Sequence, residues 1–331
     1  MVAKDFRRFS AAALVLFALA VQGQEPAAPV QLKQVPARAN PQATTEMLLA
    51  ATRAGTRLVA VGDHGTIVLS DDGGRSFRQA RSVPTRVTLN AVSFADKDNG
   101  WAAGHWGTIL RTADGGETWA LQRTDTTTDR PLFAIRALDA SHIVAAGLWS
   151  LIVVSDDAGD RWQEVRPPAP PDGGRADRNL LGAFADGNTL YLAAERGLVL
   201  RSTDFGKTWT YLSTGYKGSF WTGIALKDNV LLVGGLRGTV YRSADAGKTW
   251  QTIDSGTKSS ITGFADTVDG IVAVGLDGVL LSSRDQGLNF TPAQRDDHTS
   301  LTAVVANSVG RPVAFSKAGV VADFQLPPAA R

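Results

Sequence analysis

The chain has 331 residues, 44% of them hydrophobic and 20% charged, with 34 Lys and Arg against 32 Asp and Glu. That balance describes a globular chain of one large domain or two ordinary ones and gives no support to a nucleic-acid-binding role. With no cysteine and four scattered histidines, disulfides and thiolate metal sites are excluded, and no metal or cofactor cluster is expected.

In chain order, the first segment reads as an export signal. Lys4, Arg7 and Arg8 precede an apolar run from Ala11 to Val21, with cleavage expected after Gly23 or Ala20. The run is shorter than the about 20 residues that span a bilayer, which leaves an uncleaved anchor as the alternative. Nothing later is long and apolar enough to be a membrane span. Removing residues 1–23 takes away three cations and one anion and leaves equal numbers of each. Any basic site must therefore come from how charge is distributed.

Residues 44–331 carry an internal repeat. The pattern Ser/Thr-x-Asp-x-Gly-x-x-Trp/Phe (an Asp-box) begins at Ser70, Thr112, Ser155, Ser202, Ser243 and Ser283, at spacings of 42, 43, 47, 41 and 40 residues. It closes on Phe77, Trp119, Trp162, Trp209, Trp250 and Phe290. Before each copy lie short β-branched and aromatic runs separated by a glycine-bounded turn, as in Trp101–Ala103, Gly104–Gly107 and Thr108–Arg111. Such runs are strands. Each repeat is expected to form three strands, the box turn, and a fourth strand starting at the box aromatic. Four antiparallel strands in about 40 residues make a propeller blade.

A seventh repeat, without a box, starts at Leu301. The expected fold is thus all-β: a seven-bladed β-propeller of four-stranded antiparallel blades. Residues 24–43 are expected to supply the missing fourth strand of the last blade through Val30–Val35 and so close the ring. The longer third interval comes from the Pro- and Gly-rich stretch Arg166–Asn179, an elaboration between blades.

The box itself reads as scaffolding. Short Ser and Asp side chains satisfy a tight turn, and a group needed in every blade is a turn-former, whereas a catalytic group is needed once. No catalytic residue is assigned. Partner contacts are expected where the repeats differ. The residue before the glycine of the second-to-third-strand turn is His64, Trp106, Trp149, Arg196, Arg237, Asp277 and Ala318 in successive blades, with Ser150 replacing the glycine in blade 3. The loops leading into the innermost strands carry Arg86, Arg130, Arg178, Lys217, Lys258 and His298. Propeller topology puts both sets on one face, forming a basic rim around the channel mouth, with the boxes on the other face. Ordinary turn decoration and solvated loop charge are the bland alternatives.

The stretch Gly100–Trp119 (GWAAGHWGTILRTADGGETW), echoed in Arg242–Trp250 (RSADAGKTW), resembles the Ycf48/Hcf136 family of photosystem II stability and assembly factors. The likeness extends over essentially the whole chain after the leader. It implies a non-enzymatic seven-bladed scaffold that binds a membrane-protein complex or its assembly intermediate through a basic surface; the cations gathered on one face would by themselves attract an acidic polypeptide segment or anionic head groups. The export signal points to the periplasm, or to a thylakoid lumen in a photosynthetic organism. A sialidase-type glycosidase would need a tyrosine nucleophile over the channel. Tyr191, Tyr211, Tyr216 and Tyr241 instead fall within or just beyond strands. A cell-envelope glycan binder using Trp106 and Trp149 as stacking platforms is the remaining rival.

Overall fold

A computed structural model describes residues 32–322 and 324–326. The expected leader, Met1–Gly23, lies outside them, and among the described residues no helix is long and apolar enough to cross a membrane.

The chain forms seven antiparallel sheets in sequence order. Blade 1 comprises β1 (Leu48–Ala54), β2 (Arg57–Gly62), β3 (Ile67–Ser70) and β4 (Arg78–Gln79). Blade 2 comprises β5 (Leu89–Phe94), β6 (Gly100–Gly104), β7 (Ile109–Thr112) and β8 (Ala120–Arg123). Blade 3 has β9 (Leu132–Ala137), β10 (Ile143–Gly147), β11 (Ile152–Ser155) and β12 (Gln163–Val165). Blade 4 has β13 (Leu180–Asp186), β14 (Thr189–Ala194), β15 (Leu198–Ser202) and β16 (Thr210–Ser213). Blade 5 is built from β17 (Phe220–Ala225), β18 (Leu231–Gly235), β19 (Val240–Ser243) and β20 (Gln251–Ile253). Blade 6 is built from β21 (Ile261–Thr267), β22 (Gly270–Gly275), β23 (Val279–Ser283) and β24 (Thr291–Gln294). Blade 7 holds β25 (Leu301–Ala306), β26 (Pro312–Ser316) and β27 (Gly319–Val320). The fourth strands begin one residue after the box aromatic, because that side chain is turned inward to pack between blades.

The core is divided among the blade interfaces. Seven apolar clusters fill the seven junctions, from Val59, Leu69, Val92 and Leu110 between blades 1 and 2 to Leu58, Val68, Val313 and Phe315 between blades 7 and 1. Burying two apolar faces per blade, at about 25 cal/mol per Å², is what makes a blade stable only beside its neighbours.

The boxes are turns, as their repetition predicts. In blade 5 the Ser243 hydroxyl donates to Asp245 Oδ1 at 2.7 Å and accepts the Gly247 N–H at 2.8 Å, while Asp245 accepts the Thr249 N–H and hydroxyl. The Ser or Thr bond to the box glycine recurs at Ser70, Thr112, Ser155, Ser202 and Ser283, while Arg161 and Asn289 replace the second hydroxyl in blades 3 and 6. The Trp119 and Trp209 indoles then donate to the box glycine carbonyls at 2.9 Å.

The expected closing strand is not formed by the described part of Val30–Val35. Leu32 N–H donates to Thr126 O at 3.2 Å and the Gln34 amide to Thr124 Oγ1 at 3.2 Å, which places this stretch on blade 2. Among the described residues the seventh sheet has three strands. Its tip glycine, Gly319, is approached by Thr44 and Thr45, where a Cβ would come within 2.0 Å of Thr44 O. The chain entering blade 1 thus already packs against this end of β27, and the ring closes by packing of β1 against β25 and β26.

Candidate partner-binding face

Every first strand opens with a β-bulge. Leu48 pairs with Gly62 and Ala50 with Val61, leaving Leu49 unpaired, and the same shift recurs in all seven blades. The unpaired residues are Leu49, Asn90, Phe133, Leu181, Trp221, Thr262 and Thr302, one per blade at the lead-in end of the innermost strand. A bulge re-aims a side chain. Here three of the seven reach across to the next blade: Asn90 donates to Leu132 O at 2.9 Å, Thr262 to Leu301 O at 2.8 Å, and Thr302 to Leu48 O. These positions vary between repeats, and that variation was the signal in the sequence.

The tip between second and third strands is a three-residue turn whose middle residue is left-handed. His64, Trp106, Trp149, Arg196, Arg237 and Asp277 have φ between 53° and 58°. For a residue with a Cβ this conformation costs about 1–2 kcal/mol. Its recurrence in residues as unlike as Trp, Arg and Asp shows that the turn imposes it.

Each turn is fastened to the entry of its own blade, and four of them to the next blade as well. The N–H of its first residue donates to the carbonyl leading into its own blade, as Leu148 to Pro131 O at 3.0 Å and Leu236 to Ser219 O at 3.1 Å. In blades 2, 3, 5 and 6 the N–H of the left-handed residue reaches the lead-in loop of the next blade. Trp106 donates to Asp129 Oδ1 at 2.6 Å, Trp149 to Asn179 Oδ1 at 3.1 Å, Arg237 to Ser260 Oγ at 3.2 Å and Asp277 to Ser300 Oγ at 3.1 Å. These polar anchors were not read from the sequence, because only the assembled ring brings them to the tip.

Consequently the two expected sets form one. Tip and following lead-in loop meet as pairs: His64 with Arg86, Trp106 with Arg130, Trp149 with Arg178, Arg196 with Lys217, Arg237 with Lys258, and Asp277 with His298. The contacts behind this include the approach of Gly65 to Thr85 and Arg86, the Ser150 N–H donating to Arg178 O at 2.8 Å, and the approach of Gly238 to Thr257. The box turns sit at the other end of the third strands. Blade 7 contributes Ala318, whose N–H donates to Ser316 Oγ.

The even basic rim does not survive. Arg178 is buried, 8% exposed, and its guanidinium is held by Asp177 at 2.5 Å and Asp172 at 3.2 Å. It fixes the Arg166–Asn179 loop and offers no surface. Arg130 is paired with Glu164 at 3.3 Å and Asp125 at 3.8 Å, and His298 lies 3.1 Å from Asp277. Arg196 lies 3.3 Å from Asp172, and His64 3.8 Å from Glu46. Among the described residues Arg86, Lys217, Arg237 and Lys258 are exposed and lack an ion pair.

Three of these four, with Arg196, lie along consecutive tips and lead-in loops from blade 4 to blade 6. The Tyr216 hydroxyl donates to Leu236 O at 3.3 Å and ties the middle of this arc together. A cavity of about 440 Å³ opens between Asp172, Arg196, Tyr216 and Lys217. On the far side Arg86, His64, His105 and half-buried Trp106 line a second cavity of about 480 Å³ beside Leu32, Lys33 and Val35. Trp149 stands alone between them, 60% exposed. Of the tyrosines, Tyr191 and Tyr241 lie within strands, Tyr211 on the outer β16 and Tyr216 just beyond it.

The family model for Photosynthesis system II assembly factor YCF48 matches residues 79–170. No curated protein matches the chain. Among solved structures, "YCF48 bound to D1 peptide" is similar at 17% identity and a TM-score of 0.68, covering 88% of this chain and 98% of that one. YCF48 from Cyanidioschyzon merolae is similar at 18% identity and a TM-score of 0.65, covering 87% and 96%. The chain is a Ycf48-like β-propeller.

Proposed function

We propose that this protein is a non-enzymatic, exported propeller that binds a membrane-protein complex or its assembly intermediate on the tip face. The observation that carries the reading is the run of cations from Arg196 through Lys217 and Arg237 to Lys258, three of them without an ion pair. In a chain whose charges otherwise balance, such an arc attracts an acidic segment and sets its orientation. The likeness to YCF48 supports the class of partner, since one similar solved structure is described as bound to a D1 peptide. The leader-like residues 1–23 support export, with the periplasm as the compartment.

The test is recovery of partners from detergent-solubilised membranes with the tagged protein. One membrane complex is expected with the parent chain and is lost on Arg196→Glu with Arg237→Glu, while the thermal midpoint holds. Trp149, so exposed on the same face, gives the glycan reading its one foothold. Binding on a glycan array that disappears in Trp149→Ala, with no complex recovered, would overturn the scaffold reading.

A further inference from the structure

The seven innermost strands enclose a channel of about 400 Å³, lined by residues from β1, β5, β9, β13, β17, β21 and β25. Each of these strands is an end strand of its sheet, so each turns an unpaired backbone edge toward the axis. Among the described residues one lining residue is charged: Arg136, on β9. Counted from the bulge, the equivalent residues of the other blades are Thr52, Ser93, Phe184, Ile224, Ala265 and Val305. Among the described residues no carboxylate lines the channel. Arg136 makes no side-chain hydrogen bond and no ion pair with the described residues, although a guanidinium carries five donors. Water reaches it along the channel, yet protein surrounds it closely enough that burial pulls its pKa below the usual arginine range.

An arginine that faces the channel, exposed to it and with no acid among its protein neighbours, is an unusual choice for a fold-holding position. Six blades build the same strand without a charge there, so the fold does not require one. Guanidinium donors match the oxygens of carboxylate and phosphate, and charge-assisted bonds to them are about twice as strong as neutral ones. We propose that the channel is a binding site for a small oxyanion, seated on Arg136 and on the backbone N–H groups of the unpaired strand edges. The site lies inside the ring and is separate from the tip face.

Inorganic phosphate and acetate are the probes, titrated against chloride at matched ionic strength. Phosphate also stabilises proteins without a site, by exclusion from their surface, so saturation and the variants carry the distinction. The parent chain should show a saturable rise in thermal midpoint with at least one of the two anions. The rise should be lost in Arg136→Leu and retained in part in Arg136→Lys. An unsaturable rise, equal in parent and Arg136→Leu, overturns the proposal. Should Arg136→Leu fail to fold, the Arg136 Nε–H resonance of the labelled parent chain decides. A saturable shift with phosphate or acetate supports the site, and an unmoved resonance with both removes it.

Discussion

The Thr302 hydroxyl of blade 7 donates to the Leu48 carbonyl of blade 1, repeating at the seam the bond that Thr262 makes to Leu301 between blades 6 and 7. Among the described residues the ring therefore closes by the contact used elsewhere between neighbouring blades. Phe77 meets Phe315 edge-on across the same seam at 5.7 Å.

Replacing Thr302 with Val leaves the Leu48 carbonyl without its donor while preserving shape. The expected loss is about 1–3 kcal/mol, read from the urea midpoint at unchanged slope. Thr262→Val should cost a similar amount. A much larger loss at Thr302, accompanied by a broadened transition, would mark the seam as a weak point where the ring opens.

How much of this was legible beforehand follows from the range of each signal. The box and its strands are local: Ser243, Asp245, Gly247 and Trp250 act within one turn, so spacing alone revealed them. The place of the described part of Val30–Val35 is not legible in its strand-like composition, because it depends on Thr124 and Thr126, far away in sequence. Arg178 was counted with the rim because loop arginines are usually solvated. The loop folds back so that Asp172 and Asp177 enclose it. Arg136 is not legible in the sequence because a single charge in one strand stands out only when the seven innermost strands are aligned on their bulges.

Tip glycines should resist substitution. Gly238 has φ of 70°, and a Cβ there would lie 2.1 Å from Thr257 O on the next blade. Gly238→Ala combines a left-handed penalty of about 1–2 kcal/mol with displacement of backbone that cannot yield cheaply. A fall in stability of about 2–4 kcal/mol is expected by chemical denaturation on those two costs together. Ser150 occupies the equivalent place in blade 3 with φ of 56°. Ser150→Gly should change stability by less than about 1 kcal/mol, relief of strain offsetting the lost hydroxyl bond to Arg178 O.

Acid should loosen the boxes. The Thr249 hydroxyl, then the Thr249 N–H and the Ser243 hydroxyl, hold Asp245 down to about 2, from an ordinary value of 3.8. Arg161 holds Asp157 down to about 2. A carboxylate whose folded pKa is depressed stabilises the fold fully above its unfolded value and loses that contribution as pH falls toward the folded one. Urea midpoints should therefore be flat above pH 5 and decline between about pH 4 and pH 2. Asp245→Asn should lower the midpoint at pH 6 and make the decline shallower. An unchanged slope in that window would mean other carboxylates govern acid unfolding.

Two cations of the tip face should behave oppositely. Arg178 is enclosed by Asp172 and Asp177, and its carbonyl accepts from both the N–H and the hydroxyl of Ser150. Arg178→Ala removes the counter-charge that orders the Arg166–Asn179 loop. Because Asp172 and Asp177 remain partly solvated, the cost should fall below the 3–5 kcal/mol of a fully buried pair, at about 1–3 kcal/mol. Lys258 is exposed and without an ion pair among the described residues. Lys258→Ala should shift stability by less than about 0.5 kcal/mol. In partner capture the order should reverse. Lys258→Ala should weaken recovery of the membrane complex most at low salt, because an exposed charge acts over about 10 Å at 0.1 M and is screened as salt rises. Should Lys258→Ala leave capture unaltered at every salt concentration, the arc from Arg196 to Lys258 would not be the docking surface.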